Sequence, residues 1–206
     1  KGSKYVNERV NILQKCAAIF CVSEYIKNKF LEGINKNIEK VHVLYNGVER
    51  KLKRFPPKKK EVLFVGRLVP QKGVHFYVEA AKALAHKHPE WGFSLVGSFR
   101  LGCNASKDLY SSEIIKIFNS IGPKAHFYGF KNQKFVEEKM NSASIVVIPS
   151  VWNEPFGLVV AEAMSSGACI IASKVGGIPE ILKNNGILID DINHEKLSLK
   201  LDNLIK

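Results

Sequence analysis

The stretch EVLFVGRLVPQKGVHFYVEAAKALAH, residues 61–86, decides the fold of this 206-residue chain. It begins with a short, continuously apolar run, turns at Gly66 and Pro70, and continues with apolar residues at helical spacing. A run of this kind is typical of a β-strand that is covered on both faces, and the spacing after it is typical of an amphipathic helix. We therefore expect a strand, a tight turn and a helix here.

The same rhythm recurs as far as the C terminus. The sequence predicts strands over 62–65, 92–96, 125–128, 145–148, 168–172 and 187–189. It predicts helices over 74–86, 109–120, 134–140, 158–165, 178–182 and 195–205. Repeated βα units form a parallel sheet between two helix layers. The predicted fold class is therefore α/β, a Rossmann-like three-layer domain that binds ligands at the carboxyl ends of its strands.

The first part of the chain follows a similar pattern but is too short to form its own domain. It predicts a helix ending at Lys15, a strand over 18–22, a helix over 24–31 and a strand over 41–44. Two strands do not make an independent α/β domain, so we interpret residues 1–49 as the tail of a preceding domain. Residues 50–60 are then a linker and 61–206 a complete domain. The chain begins without a methionine or a signal sequence, which indicates an internal piece of a longer cytoplasmic protein.

Composition excludes several classes of protein. With 46% hydrophobic and 24% charged residues, the chain is neither disordered nor a disulfide scaffold. No apolar run approaches the roughly 20 residues that a membrane-spanning helix needs. The four cysteines lack a Cys-x-x-Cys pair, and we expect them to be reduced and mostly buried; they are Cys16, Cys21, Cys103 and Cys169. Neither cysteines nor histidines have metal-ligand spacing, so no metal site is predicted.

Positive charge is concentrated near the N terminus. Residues 1–60 contain 15 Lys and Arg against 5 Asp and Glu, whereas residues 61–206 contain 16 against 14. Seven of the eleven residues in 50–60 are basic, and Pro56-Pro57 disfavours regular structure. This segment is either a solvated linker or a site that attracts an anionic membrane surface through Lys58, Lys59 and Lys60. Nucleic acid is not predicted as a partner, because no recognised nucleic-acid motif accompanies the run.

The loop after the first strand of the main domain, residues 65–73, is a candidate diphosphate site. Gly66 allows a ligand close to the backbone, while Arg67 and Lys72 bring two cations to the carboxyl edge of the sheet. The nearby helix N-terminus also favours anions. The loop is neither a Walker motif nor a dinucleotide fingerprint, so solvated cations remain the alternative.

The segment PSVWNEPFGLVVAEAM, residues 149–164, is the second candidate. It places two carboxylates, Glu154 and Glu162, in otherwise apolar surroundings. Such carboxylates need partners, and a sugar or ribose diol would donate strong hydrogen bonds to them. The amides of Phe156, Gly157 and Leu158 lie between them, at a predicted helix N-terminus suited to phosphate. The alternative is that Glu162 pairs with a surface lysine.

Two further loops have less specific signals. Gly97 follows the second strand, and Phe130 follows the third, where an aromatic ring is placed either against a nucleobase or in the core. Residues 175–180, VGGIPE, predict a tight turn before a helix and are interpreted as structural.

Taken together, these motifs resemble the carboxyl-terminal domain of the family 4 retaining glycosyltransferases, which have the two-domain GT-B architecture. The resemblance rests on Gly66-Arg67, Lys72-Gly73, the segment from Glu154 to Glu162, Tyr45-Asn46-Gly47-Val48 and Gly176-Gly177-Ile178-Pro179-Glu180. It implies a nucleotide-sugar donor, with a UDP-sugar favoured, and no cofactor or metal.

The resemblance also implies roles for individual residues. Arg67 and Lys72 would hold the diphosphate, Glu154 the donor sugar and Glu162 the ribose. The amides of Phe156, Gly157 and Leu158 would contact sugar and phosphate, and Phe130 would lie beside the base. Gly66 and Gly97 complete the predicted donor site, and Arg67, Lys72 and Glu154 are its predicted catalytic residues.

The segment Val96-Gly97-Ser98-Phe99-Arg100-Leu101-Gly102-Cys103 replaces the commoner acidic turn of that family. This departure resembles members that extend lipopolysaccharide core or other surface glycans from a UDP-hexose or UDP-N-acetylhexosamine. We therefore expect transfer of such a sugar to a glycan or lipid-linked acceptor, in the cytoplasm and in contact with the inner membrane. A chain lacking most of the acceptor domain is expected to bind donor without turnover.

Two other functions remain open on the sequence. A nucleotide-sugar epimerase of the same architecture would use carboxylates and a histidine in the same cleft. A non-catalytic, anion-binding interaction domain would use the basic linker instead.

Overall fold

The computed structural model of the chain describes residues 2–49, 54–99 and 108–206. Its centre is a six-stranded sheet made of β3 (Lys59–Val65), β4 (Gly92–Val96), β5 (Ala125–Gly129), β6 (Ala143–Ile148), β7 (Cys169–Ser173) and β8 (Ile187–Ile189). The strand order is β5-β4-β3-β6-β7-β8, and every neighbouring pair is parallel. The predicted α/β class is confirmed.

Helices cover both faces of this sheet. They are α3 (Val74–Ala85), α4 (Leu109–Asn119), α5 (Gln133–Ser142), α6 (Leu158–Ser165), α7 (Ile178–Leu182) and α8 (His194–Ile205). One core cluster joins the sheet to α3, α4 and α8, and a second joins it to α5, α6 and α7. Val62 and Phe64 belong to the first cluster and Leu63 to the second, because successive residues of a strand point to opposite faces. The fold therefore has three layers.

Side-chain caps define where several helices begin. Asp108 accepts a hydrogen bond from the amide of Tyr110 at 3.0 Å, at the start of α4. The side chains of Asn132 and Asn193 cap α5 and α8 in the same way. These caps satisfy amides that have no acceptor within the helix.

The N-terminal segment, residues 2–49, contains α1 (Gly2–Lys15), β1 (Ile19–Cys21), α2 (Glu24–Leu31), a 3₁₀ turn (Ile38–Lys40) and β2 (Val41–Val43). The two strands pair in parallel and form a sheet of their own. Its small core contains Leu13, Cys21 and Val41.

The basic segment differs from the prediction at its C-terminal end. Lys59 and Lys60 belong to β3, because the ladder with β6 already begins at the pair Lys59 and Ala143. The Nζ atom of Lys58 donates to the carbonyl oxygens of Asn141 at 2.9 Å and Ser166 at 2.8 Å. Burial lowers the pKa of the Lys58 ammonium. Lys58 therefore anchors the linker to the last turns of α5 and α6, where a cation is favourable; residues 50–53 lie outside the described part.

The expectation of mostly buried cysteines is wrong for Cys169, which is exposed as the first residue of β7. Cys21 is buried and Cys16 half-buried, and all three are free thiols. Cys103 lies outside the described residues. Within the described ranges, no helix combines the length and hydrophobicity needed to cross a membrane.

Candidate functional site

A cleft made of two adjoining cavities lies at the carboxyl edge of the sheet. The β6 cavity, about 340 Å³, is bordered by the loop from β6 to α6, and the β5 cavity, about 410 Å³, by the loops after β4 and β5. Both include Val65, Gly66, Lys72 and Val159 in their walls, so the two cavities adjoin each other. This is the edge at which a parallel α/β sheet binds ligands.

The structure brings all ten predicted site residues to this cleft. Glu154, Phe156, Gly157 and Leu158 line the β6 cavity. Arg67, Gly97, Phe130 and Glu162 line the β5 cavity. Gly66 and Lys72 line both. The two glutamates thus lie in adjoining cavities, with the lysine between them.

Lys72 and Glu154 form an ion pair in the wall of the cleft. The Nζ atom of Lys72 donates to Oε1 of Glu154, whose side chain is 10% exposed against 22% for the lysine. Ser150 donates its hydroxyl to the same oxygen at 2.7 Å. Among the described residues, the hydrogen bonds to this carboxylate reach Oε1, which leaves Oε2 available to a ligand.

Two backbone contacts bring the loops of Lys72 and Glu154 together. The amide of Val151 donates to the carbonyl oxygen of Gln71 at 2.9 Å. A Cβ atom on Gly73 would lie 1.8 Å from the carbonyl oxygen of Pro149, so only glycine allows this approach. Gly73, at φ +64°, is also the N-cap residue of α3. The loops after β3 and β6 therefore hold each other, and this contact places the ion pair.

A third loop supports the backbone of Glu154. The amide of Gly177 donates to the carbonyl oxygen of Glu154 at 2.8 Å. A Cβ atom on Gly176 would lie 2.2 Å from that oxygen, and Gly176 has φ +56°. The VGGIPE turn therefore fits directly against the second candidate loop.

Glu162 lies in the wall of the β5 cavity. It is half-buried on α6, and its Oε1 atom accepts a hydrogen bond from Nε2 of Gln133 at 3.3 Å. Gln133 is the first residue of α5 and lines the β5 cavity as well. The described partner of Glu162 is therefore an uncharged amide and not a surface lysine.

The floor of the β5 cavity consists of the ends of three neighbouring strands. The amide of Gly66 donates to Val96 O at 3.1 Å, and the amide of Gly97 donates to Gly129 O at 2.9 Å. A Cβ atom on Gly97 would lie 1.8 Å from the carbonyl oxygen of Gly66. The absence of side chains on these glycines leaves a flat floor beside the half-buried ring of Phe130.

The electrostatics of the cleft favour an elongated ligand with an anionic centre. Arg67 and Lys72 supply two cations, and the first amides of α6 lack acceptors within their helix. Each cavity also has one of the predicted carboxylates in its wall, Glu154 in the β6 cavity and Glu162 in the β5 cavity, and these would accept hydrogen bonds from hydroxyl groups. Among the residues of the described ranges that line the two cavities, none is a histidine. Nowhere in the described ranges do three His, Cys, Asp or Glu side chains cluster as a metal site would require.

Several residues of the site were not predicted from the sequence. Ser150 orients Glu154, and Gln133 contacts Glu162. Val22 and Asn46 of the N-terminal segment line the β6 cavity. The hydroxyl of Ser150, directly after a buried strand, could have indicated the first. Gln133 lies three residues after Phe130, and Asn46 belongs to the motif Tyr45-Asn46-Gly47-Val48, but neither was assigned to the site. Nothing in the sequence around Val22 indicates that it reaches the cleft.

Comparison with known proteins shows which family the chain belongs to. The family model described as "Glycosyl transferases group 1" matches residues 47–206, so the chain belongs to the group 1 glycosyl transferase family. An uncharacterized glycosyltransferase of Methanocaldococcus jannaschii, MJ1607, is 30% identical over 96% of this chain and 53% of its own length. A second one from that organism, MJ1178, is 33% identical over 91% of this chain and 49% of its own. The chain thus spans about half the length of these curated relatives.

Among solved structures, HepE of Anabaena in complex with UDP-glucose has the same fold. The TM-score is 0.79 at 24% sequence identity, over 100% of this chain and 59% of that one. The likeness supports an α/β fold of the GT-B type.

Proposed function

We propose that this chain is the donor-binding half of a family 4 retaining glycosyltransferase that uses a nucleotide-diphosphate sugar, with UDP favoured as the nucleotide. The whole protein would move a hexosyl or N-acetylhexosaminyl group to a glycan or lipid-linked acceptor. The observation that carries this proposal is that Lys72 lies in the wall of both cavities, with Glu154 beyond it in one and Glu162 in the other.

The cleft suits such a donor in shape and charge. The diphosphate would lie where the cavities join, near Arg67, Lys72 and the first amides of α6. The sugar would enter the β6 cavity and hydrogen-bond to Glu154, and the ribose hydroxyls would bind Glu162. The base would lie along the glycine floor beside Phe130. HepE, whose structure contains UDP-glucose, supports the choice of nucleotide.

The chemistry assigned to these residues is stabilisation of the leaving group. In the proposed reaction, the bond between the anomeric carbon and the β-phosphate oxygen breaks, and the acceptor hydroxyl oxygen bonds to that carbon on the same face. The hydroxyl proton passes to the departing phosphate. Negative charge grows on the diphosphate as the bond breaks, and Arg67 and Lys72 lie where preorganised cations would stabilise it.

The proposal extends to the glycan that the whole protein would help to synthesise. We propose lipopolysaccharide core or a related surface glycan, supported by the segment 96–103 that replaces the acidic turn; residues 100–103 lie outside the described part. A peripheral contact with the inner membrane would then involve Lys59 and Lys60, which are exposed, whereas Lys58 is engaged by helix carbonyls. Charge reversal of Lys59 and Lys60 should abolish binding to anionic liposomes and leave nucleotide affinity intact.

Titration of the chain with UDP, ADP and GDP tests donor binding. We expect that one of them binds saturably at micromolar to millimolar concentrations, as measured by calorimetry. Lys72→Ala should weaken it, whereas Lys200→Ala, on the exposed face of α8, should not. Absence of saturable binding by all three nucleotides at millimolar concentration would contradict the proposal.

Product analysis with the full-length protein separates the transferase from the epimerase. An epimerase would convert UDP-N-acetylglucosamine without any acceptor, whereas a transferase would require one. The lack of a histidine among the cavity-lining residues favours the transferase.

A further inference from the structure

The N-terminal segment is attached to the VGGIPE turn through the carboxylate of Glu180. Its Oε2 atom accepts a hydrogen bond from the amide of Glu24 at 2.7 Å, and its Oε1 atom accepts one from the amide of Tyr25 at 3.0 Å. The hydroxyl of Tyr45 donates to Oε2 at 3.1 Å. The two amides belong to the first turn of α2, where an anionic acceptor is favourable. We call this arrangement of Glu180 with its three donors the α2 clasp.

A second contact joins α2 directly to the loop of Glu154. The hydroxyl of Ser23, the N-cap of α2, donates to the carbonyl oxygen of Pro155 and accepts from the amide of Ile26 at 3.1 Å. Ser23 is fully buried. The start of α2 is therefore held at two points, on Glu180 of α7 and on the loop of Glu154, and these two elements already contact each other through Gly177 and Glu154.

The clasp lies next to the two cavity residues that come from the N-terminal segment. Val22 immediately precedes Ser23, and Asn46 immediately follows Tyr45. Both line the β6 cavity together with Glu154 and Lys72. The ring of Tyr45 also packs 6.2 Å, between centroids, from the ring of Phe156. Asn46 is thus adjacent to a member of the clasp, and Val22 is adjacent to Ser23, which holds the start of α2 on the loop of Glu154.

We propose that Glu180 is a positioning residue for donor binding: the α2 clasp holds Val22 and Asn46 as the wall of the β6 cavity. This inference rests on the proposed function, because it assigns the β6 cavity to the sugar of the donor. Glu180 itself lines neither cavity and touches no reacting atom. We expect its effect to be large on the sugar in the β6 cavity and small on the nucleotide, most of which lies in the β5 cavity.

The test compares two ligands on one chain: the nucleotide among UDP, ADP and GDP that the wild type binds, and the glucose conjugate of that nucleotide. In Glu180→Ala, the affinity for the glucose conjugate should fall about tenfold, as expected for loss of charge-assisted hydrogen bonds, while that for the nucleotide changes less than about twofold. General destabilisation would lower both equally. Glu180→Gln, which retains one acceptor oxygen, should give an intermediate ratio. Glu195→Ala, which removes a first-turn carboxylate from α8, is the matched control and should change neither affinity.

Amide hydrogen exchange provides an independent measurement on the same proteins. The amides of Glu24 and Tyr25 should exchange slowly in the wild type and faster in Glu180→Ala. The glucose conjugate should slow them further in the wild type but not in the variant. If Glu180→Ala binds both ligands as the wild type does, or loses both in equal proportion, the positioning role is wrong and the proposed function stands. If the wild type binds no nucleotide, the proposed function fails and the role of the clasp fails with it.

Discussion

Lys72 and Glu154, which are 82 positions apart in the chain, form an ion pair at the junction of the two cavities. Neither residue is on a regular strand: the lysine ends a 3₁₀ turn and the glutamate lies in the loop before α6. Their contact depends on the backbone approach of Gly73 to Pro149. The pair therefore orients a cation and a carboxylate before any ligand arrives, which reduces the ordering that binding requires.

Removing the lysine should affect both binding and stability. In Lys72→Ala, we expect nucleotide diphosphate affinity to fall tenfold or more, as for loss of a charge-assisted contact to phosphate. The carboxylate of Glu154 loses its cation in a largely buried position, so the free energy of unfolding should fall by about 1–3 kcal/mol. Calorimetry and chemical denaturation measure the two effects. Lys200→Ala should show neither, and an unchanged nucleotide affinity in Lys72→Ala would argue against a diphosphate at this position.

Glu154→Gln should weaken binding of the donor sugar without weakening binding of the nucleotide. Glutamine keeps the shape and can still accept the hydrogen bond from Ser150, but it removes the charge that would hold a sugar hydroxyl. We expect unchanged or slightly tighter binding of the nucleotide diphosphate and about tenfold weaker binding of its glucose conjugate. Glu113→Gln, exposed on α4, is the control. Equal loss for both ligands would place the carboxylate elsewhere on the ligand.

Glu162→Gln should weaken recognition of ribose. The wild type should bind UDP about ten times or more tighter than 2′-deoxy-UDP, because an ionised carboxylate makes strong hydrogen bonds with hydroxyl groups. In Glu162→Gln this preference should largely disappear, since the affinity for UDP falls and that for the deoxy compound changes little. Calorimetric titration of the wild type and the variant with UDP and with 2′-deoxy-UDP gives the four affinities that this comparison needs. A preference that survives the substitution contradicts the assignment.

Gly176→Ala should displace the loop of Glu154. Alanine is strained in the left-handed conformation at φ +56°. Its Cβ atom would also lie 2.2 Å from the carbonyl oxygen of Glu154. Gly122→Ala is a matched control, because Gly122 has φ +105° but open space around a Cβ atom. We expect the first substitution to cost about 1–3 kcal/mol more in chemical denaturation than the second. Equal costs would mean that the loop moves freely.

The stability of the chain should depend on Asp202 in acid. Hydrogen bonds from Lys87 and His88 hold the pKa of this carboxyl, on α8, well below its ordinary value of 3.8. The unfolded chain therefore takes up the proton first, so the stabilisation is present above pH 3.8 and is lost as the pH falls below it. Denaturation across this range should show a steeper loss for the wild type than for Asp202→Asn. Asp190→Asn, at an exposed ion pair, should behave like the wild type.

Much of the fold could be predicted from the sequence because its signals are local. The apolar runs and the glycine turns that follow them depend on residues close together in the chain, and the six predicted strands agree with the structure to within a few residues. The exception, the early start of β3 at Lys59, arises because pairing with β6 continues past the apolar run. The ten candidate residues could be found for the same reason, since eight lie in turns that directly follow predicted strands, and Leu158 and Glu162 lie on the predicted helix after one of those turns.

What the sequence alone determined is therefore the type of each element and which loops share an edge of the sheet. Tertiary structure alone decided how those loops meet: the ion pair of Lys72 with Glu154, the support of Glu154 by Gly176 and Gly177, and the clasp between Glu180 and α2. The turn of residues 175–180 was interpreted as structural, and in the folded chain it also joins the N-terminal segment to the cleft. Local sequence specifies backbone conformation, but a contact between loops depends on the register and twist of strands far apart in the chain, which no short pattern encodes.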